Sequence, residues 1–391
     1  MTVDRAWVRR NLGFDPIARP APQSTFAVKA ASHPRRKIED LQREIIEFDS
    51  EAPEGMAFMA FSTATGLSRF TEIPWPGKLA PKTDAKARRG KSGALPRADV
   101  LVVTWTVDEG HALSRVLTPG KDSRDDYVSY RHNFAKISKK MRGGCPALNA
   151  GRLGAYWTAK IGAAKVVIFK SDSHLSQDTR KAPRDGETLP NEDLWAQIIE
   201  EVRPSLVITT GTAGGIGKRC EVGDVVVSPI VRFDCLKWLE SEPFHDAAYK
   251  NVDAKSKYFA KARQLFEKNA GQLPRENTRP PKIVRGHSLG SSVLTTDFFG
   301  FDTSDDHYGL QGKGAVSEMG DAVLGRVGSR MVAKSPRWVA VRNVSDPQIK
   351  AEGTLEQQAH VAAQIYKGFG RWSSVCSAIV CWALIAAEAG A

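Results

Sequence analysis

From Ala98 onward, continuous apolar runs alternate with amphipathic ones. Asp99–Trp105 (DVLVVTW) is apolar throughout, as a strand buried on both faces requires. Leu153–Ile161 reads as a helix and Ala164–Lys170 (AKVVIFK) as a second strand, followed by a polar insertion over Ser171–Pro190. Asn191 then offers an N-cap to a helix reaching Val202, with Glu192 and Asp193 in its first turn. Ser205–Thr210, Asp224–Pro229 and Lys282–Ser288 read as further strands. Ser317–Ala333 reads as a helix, Arg337–Val344 as the sixth strand, and the remainder as helical. Strands alternating with helices predict an α/β sheet covered by helices on both faces. Ligands of such sheets bind where loops leave the carboxyl ends of the strands.

Residues 1–97 have a different texture. Ile38, Leu41, Ile45 and Phe48 share one face of an amphipathic segment after His33-Pro34. Pro-rich turns follow at Ile73–Gly77, and the basic run Lys82–Arg97 reads as a solvated linker. The chain thus divides into an extension, 1–97, and a domain, 98–391. Near the other end, Val375–Ala387 is apolar but only 13 residues long. A membrane span needs roughly 20, so a buried terminal helix and no membrane partner are expected.

Charge adds a second layer. The formal net charge is +12, and residues 1–97 hold 17 Lys/Arg against 11 Asp/Glu. Such a balance favours an anionic partner, although solvated lysines that aid solubility produce the same numbers. Five cysteines (Cys145, Cys220, Cys235, Cys376, Cys381) form neither a CxxC pair nor a metal-ligand spacing, so no metal or cofactor is expected. With no apolar leader in MTVDRAWVRRNLGF, a reducing, cytosolic setting is the expectation.

The strongest local signal is Ile208–Ser228, ITTGTAGGIGKRCEVGDVVVS. A phosphate-binding P-loop needs four residues between its first glycine and Gly-Lys. Five intervene between Gly211 and Gly217-Lys218, and Arg219 follows the lysine. A dinucleotide GxGxxG starting at Gly215 needs glycine where Cys220 stands. What remains from local pattern alone is a tight glycine turn, with or without a ligand.

The continuation into VGDVVVS resembles the purine nucleoside phosphorylase and methylthioadenosine/adenosylhomocysteine nucleosidase superfamily. Three further segments resemble it in the same order: TWTVDEGHAL (104–113), LTTDFFGF (294–301) with AVSEMGDA (315–322), and VRNVSDP (341–347). The likeness spans about residues 98–390 and implies a mixed central sheet with helices on both faces. It implies cleavage of a purine N-glycosidic bond, with Asp346 as general acid and Glu109 as base or cation stabiliser. Thr212, Ala213, Gly214, Phe298 or Phe299, Glu318, Met319 and Asp321 would hold the substrate. Gly320 departs from the pattern, standing where an acidic ribose contact is expected.

Glu109 favours a hydrolytic nucleosidase over a phosphate-dependent phosphorylase, and the expected partner is a purine nucleoside or nucleotide rather than nucleic acid. Relatives assemble as dimers, trimers or hexamers, so a homo-oligomer is expected. Arg131, His132 and Arg152, in a basic stretch after the first strand, are candidate phosphate ligands, and their ordinary alternative is a solvated helix face. The insertions at 171–190 and 235–281 and the N-terminal extension resemble bacterial antiphage members that remove adenine from ATP. A catalytically impaired nucleotide sensor, favoured by Gly320, is the alternative of a different class.

Overall fold

The computed structural model describes residues 1–12, 72–84, 93–121, 126–175, 188–331 and 335–389. The amphipathic segment of Ile38–Phe48 lies outside them. The strands are β1 (Thr2–Val3), β2 (Lys82–Thr83), β3 (Val100–Thr104), β4 (Val128–Tyr130), β5 (Gly154–Ile161) and β6 (Ala164–Ser171). They continue as β7 (Leu206–Gly215), β8 (Val225–Ser228), β9 (Ile230–Phe233), β10 (Ala248–Lys250) and β11 (Ile283–Arg285). The last are β12 (Val293–Thr295), β13 (Val316–Glu318), β14 (Arg337–Asp346) and β15 (Gln348–Ile349). The α-helices are α1 (Arg5–Leu12), α2 (Val107–Leu117), α3 (Phe134–Ile137) and α4 (Pro146–Ala150). α5 (Pro190–Val202), α6 (Phe259–Ala270), α7 (Asp321–Arg330) and α8 (Leu355–Glu388) follow.

Thirteen of the described strands form one mixed sheet. β7 lies at its centre, parallel to β3 and β14 and antiparallel to β13. Period-two alternation explains the unbroken apolar runs. Val100 and Val102 face one core, Leu101 and Val103 the other; β7 and β14 alternate in the same way. One core is closed by α2, α6 and α8, the other by α5 and α7.

Several expectations need correction. Leu153–Ile161 is not helical: Gly154–Ile161 is strand β5, antiparallel to β6. Its aromatic and β-branched centre (Tyr156-Trp157-Thr158) and the two-residue turn with Gly162 at φ +58° are hairpin signals. Asn191 is not the cap of α5, because Pro190 takes the first helical position and Leu189 precedes it. Asn191 instead accepts a hydrogen bond from Ser173, while Glu192 returns to the Leu189 amide at 2.7 Å. Ser317 and Glu318 belong to β13, and the helix begins only at Asp321. The Gly211–Gly215 segment is not a turn: β7 stays extended through it, paired with β14 as far as Gly214.

The run Lys82–Arg97 is not wholly a solvated linker. Lys82–Thr83 pairs with β5, and Leu95 is buried with its amide on Glu201. Other described parts of the expected extension also join the main body. β1 pairs with β15, Trp7 and Val8 enter the core, and the Trp75 ring lies 4.7 Å from that of Trp382.

The apolar terminal segment belongs to a far longer helix than its 13 residues suggested. α8 has 34 residues and a Thr354–Gln357 capping box. By length and composition it is apolar enough to cross a membrane, yet 89% of its most apolar window is buried in the protein.

Candidate active site

One pocket gathers the ends of β3, β6, β7, β12, β13 and β14, with Tyr366 of α8 as a further wall. It holds about 690 Å³ of space, open mouth included. Strand β7 supplies Thr212, Ala213 and Gly214 as its floor.

Glu109 stands at one end. It is the third helical residue of α2, so it closes a capping box with Thr106. One carboxylate oxygen accepts from the Thr104 hydroxyl (2.7 Å) and the amides of Trp105 (3.0 Å) and Thr106 (2.9 Å). The other accepts from the amide and hydroxyl of Thr212, both at 2.7 Å. Burial opposes its charge, but the Arg342 guanidinium and these hydrogen bonds prevail and hold the carboxyl below its ordinary range. Gly211 makes room for it. A Cβ there would fall 2.4 Å from the carboxylate carbon, and its φ of +150° disfavours a side chain in any case.

Asp346 stands at the other end, and a bulge delivers it. Val344 pairs with Ala213 and Asp346 with Gly214, leaving Ser345 as the extra residue. The displaced Ser345 hydroxyl donates to Asp346 at 2.7 Å. Burial pushes the Asp346 carboxyl up to about 6, against that single hydrogen bond. Gly214 lets the acid approach, since a Cβ there would lie 3.1 Å from both Asp346 Oδ2 and Ser317 Oγ.

Behind the pocket, Arg342 grips Asp321 with two hydrogen bonds of 2.8 and 2.5 Å and reaches Glu318 at 3.0 Å. Two carboxylates share one guanidinium in a buried place. Burial first, then Asp321, pushes Glu318 up to about 8 despite Arg342. Arg342 also lies over the Trp105 ring, 4.6 Å from its centroid. Among the described residues no cluster of His, Cys, Asp or Glu suits a metal.

Of the residues singled out from sequence, Glu109, Thr212, Ala213, Gly214, Phe299, Glu318, Met319 and Asp346 line this pocket. Phe298 does not; it is buried against Tyr308, ring centroids 4.9 Å apart. Asp321 also lies off the lining, engaged by Arg342. The basic candidates lie elsewhere: Arg131 is exposed, His132 faces Glu201 at 2.5 Å, and Arg152 meets Asp172 at 2.6 Å. The sequence reading missed Trp105, His174, Ser317, Arg342 and Tyr366. Arg342 and Trp105 sit inside the quoted motifs, but nothing in local pattern separates them from structural residues. At Gly320, Trp105 explains the missing side chain: a Cβ there would lie 2.7 Å from Trp105 Cζ2.

The sequence model of the phosphorylase superfamily matches residues 131–384. Among solved structures, the chain is similar to the 5′-methylthioadenosine/S-adenosylhomocysteine nucleosidase of Neisseria meningitidis. That match has 15% identity and a TM-score of 0.45, covering 74% of this chain and 99% of that one. The S-adenosylhomocysteine nucleosidase of Streptococcus pyogenes matches at 14% identity and TM-score 0.44, over 75% and 98% of the two chains. Futalosine hydrolase of Helicobacter pylori matches at 12% and 0.44, over 73% and 96%.

Proposed function

Because the chain belongs to the phosphorylase superfamily, we propose that it cleaves the N-glycosidic bond of a purine nucleoside or nucleotide with water. One observation carries the reading. Two carboxyl groups face one pocket with their proton affinities displaced in opposite directions, Asp346 upward and Glu109 downward. Such divergence is how one site supplies an acid and an anion together.

Bond breaking leaves the sugar cationic and the departing purine anionic. Asp346 gives its proton to a ring nitrogen as the base takes the bonding electrons. Water oxygen bonds to C1′ and loses a proton, which restores the acid. Glu109, already accepting five hydrogen bonds, is better suited to stabilise the sugar cation than to remove a proton. Phe299 offers its ring to the base. Hydrolysis is favoured over phosphorolysis because, among the described residues, the pocket lining holds a single guanidinium, Arg342, and that group is spread over Asp321, Glu318 and the Thr212 carbonyl. The same observation favours a nucleoside over ATP, and leaves an antiphage role without support from the pocket.

The test is release of free base from adenosine, methylthioadenosine, AMP and ATP, each with and without phosphate. Base from at least one without phosphate is expected, lost in Asp346→Asn. No base from any would sink the enzyme and leave the sensor; base only with phosphate would make it a phosphorylase.

A further inference from the structure

His174 belongs to no motif and has no part in the chemistry above, yet it lines the pocket. It follows β6, is 5% exposed, and its ring nitrogens make no hydrogen bond with any described residue. Its ring contact is with Trp105, centroids 6.5 Å apart. A ligand that fills the pocket would cover these nitrogens, and because a buried polar group without a partner is costly, the ligand must supply one.

Position along the pocket says which part of the ligand this is. Glu109 packs at Gly211 and Asp346 at Gly214, positions three residues apart along β7, about 10 Å of extended strand. Under the reading proposed above, the base lies at the Asp346 end and the sugar at the Glu109 end. At that end the other polar side chains are occupied. Thr212 donates to Glu109, Thr106 accepts from Tyr366, and Arg342 spans Asp321, Glu318 and a carbonyl. Residue 320 can contribute no side chain, and the Trp105 indole covers its place.

We propose that His174 is a positioning residue that hydrogen-bonds the 2′- or 3′-hydroxyl of the substrate's sugar, which lies against Trp105. The proposal rests on the N-glycosidic reading. Burial, then Lys170, holds the imidazole down near 4, so it is neutral at physiological pH. A neutral imidazole offers one donor and one acceptor, and a hydroxyl matches both. A phosphate is a poorer match, because it would set its charge beside the Glu109 anion.

The experiment measures binding of adenosine, 2′-deoxyadenosine and 3′-deoxyadenosine by calorimetry, in the Asp346→Asn background that keeps ligand uncut. His174→Ala should weaken adenosine about tenfold, the worth of one hydrogen bond. It should leave unchanged the affinity of whichever deoxy analogue lacks the bonded hydroxyl. Equal weakening of all three ligands, no weakening, or no binding of any would overturn the proposal. If the alanine variant does not fold, His174→Asn is put through the same series with the same expectation. Base release by the unaltered protein is assayed separately. Discrimination without release sinks the hydrolytic reading alone, whereas release with uniform weakening sinks only the role of His174.

Discussion

At the scale of single residues, the candidate site depends on glycines as much as on acids. Gly211→Ala would drive a methyl group into the Glu109 carboxylate. We predict loss of base release by at least tenfold together with a lowered melting temperature, read by assay and calorimetry. Proton affinity gives a second expectation. Asp346 acts only while protonated and sits near 6, so kcat/KM should fall as pH rises above about 6. A flat profile to pH 8 would remove Asp346 as the acid. Glu318 gives a third. Its carboxyl is raised from 4.5 to about 8, so the native chain keeps a proton that the unfolded chain has released. That contribution to stability is complete below about 4.5 and is lost as pH rises through about 8. Urea midpoints should therefore drop between pH 6 and 9, and less so in Glu318→Gln. Arg342→Met strands Asp321 and Glu318 without their cation, at a cost of about 3–5 kcal/mol in the same titration.

Legibility from sequence follows the physics of each group. Glu109, Thr212, Met319 and Asp346 were reached through the resemblance, because each lies inside one of the short motifs that carry it, and all four line the pocket. Phe298 and Phe299 are adjacent in sequence, and only packing on Tyr308 decides that Phe298 turns away. His174 and Trp105 meet across β6 and β3, a contact that no local window contains.

At the scale of elements, the continuous runs of β3 and β14 were plain, since burial on both faces writes itself as unbroken apolarity. β5 was misread because its buried and exposed positions do not alternate cleanly, and only the Gly162 turn marks the hairpin. The Ser345 bulge was invisible, because one extra residue in a strand leaves no compositional mark. It also yields a prediction. Deleting Ser345 would keep residue 346 opposite Gly214 but remove the local bend of the bulge and the hydroxyl that donates to the acid. Folded protein with no detectable base release is expected; retained activity would show that the bulge does not aim the acid.

At the scale of the molecule, the described parts of residues 1–97 are joined to the body rather than set apart. The Trp382 indole donates to the Leu79 carbonyl at 2.7 Å and stacks near Trp75. Trp75→Ala should lower stability by about 1–2 kcal/mol, since the ring is half-buried, without changing KM. Nothing in the sequence signalled this attachment, because its partners lie some three hundred positions away.

The pairing of β1 with β15 shares that remoteness, and its cost is kinetic. Thr2 meets Gln348 across 346 positions, and two residues later in the other direction stands Asp346. Bringing such distant segments together costs on the order of 5 kcal/mol in loop-closure entropy, for a ladder of two residues on each strand. That contact is therefore a late arrival in folding and an early departure in unfolding, dependent on everything between having already condensed. In hydrogen exchange, the amide of Lys350, which donates to the Val3 carbonyl, should open well below the global unfolding free energy, while those of β7 open with it. The edge of the pocket beside the acid would then be the last part of the molecule to become native.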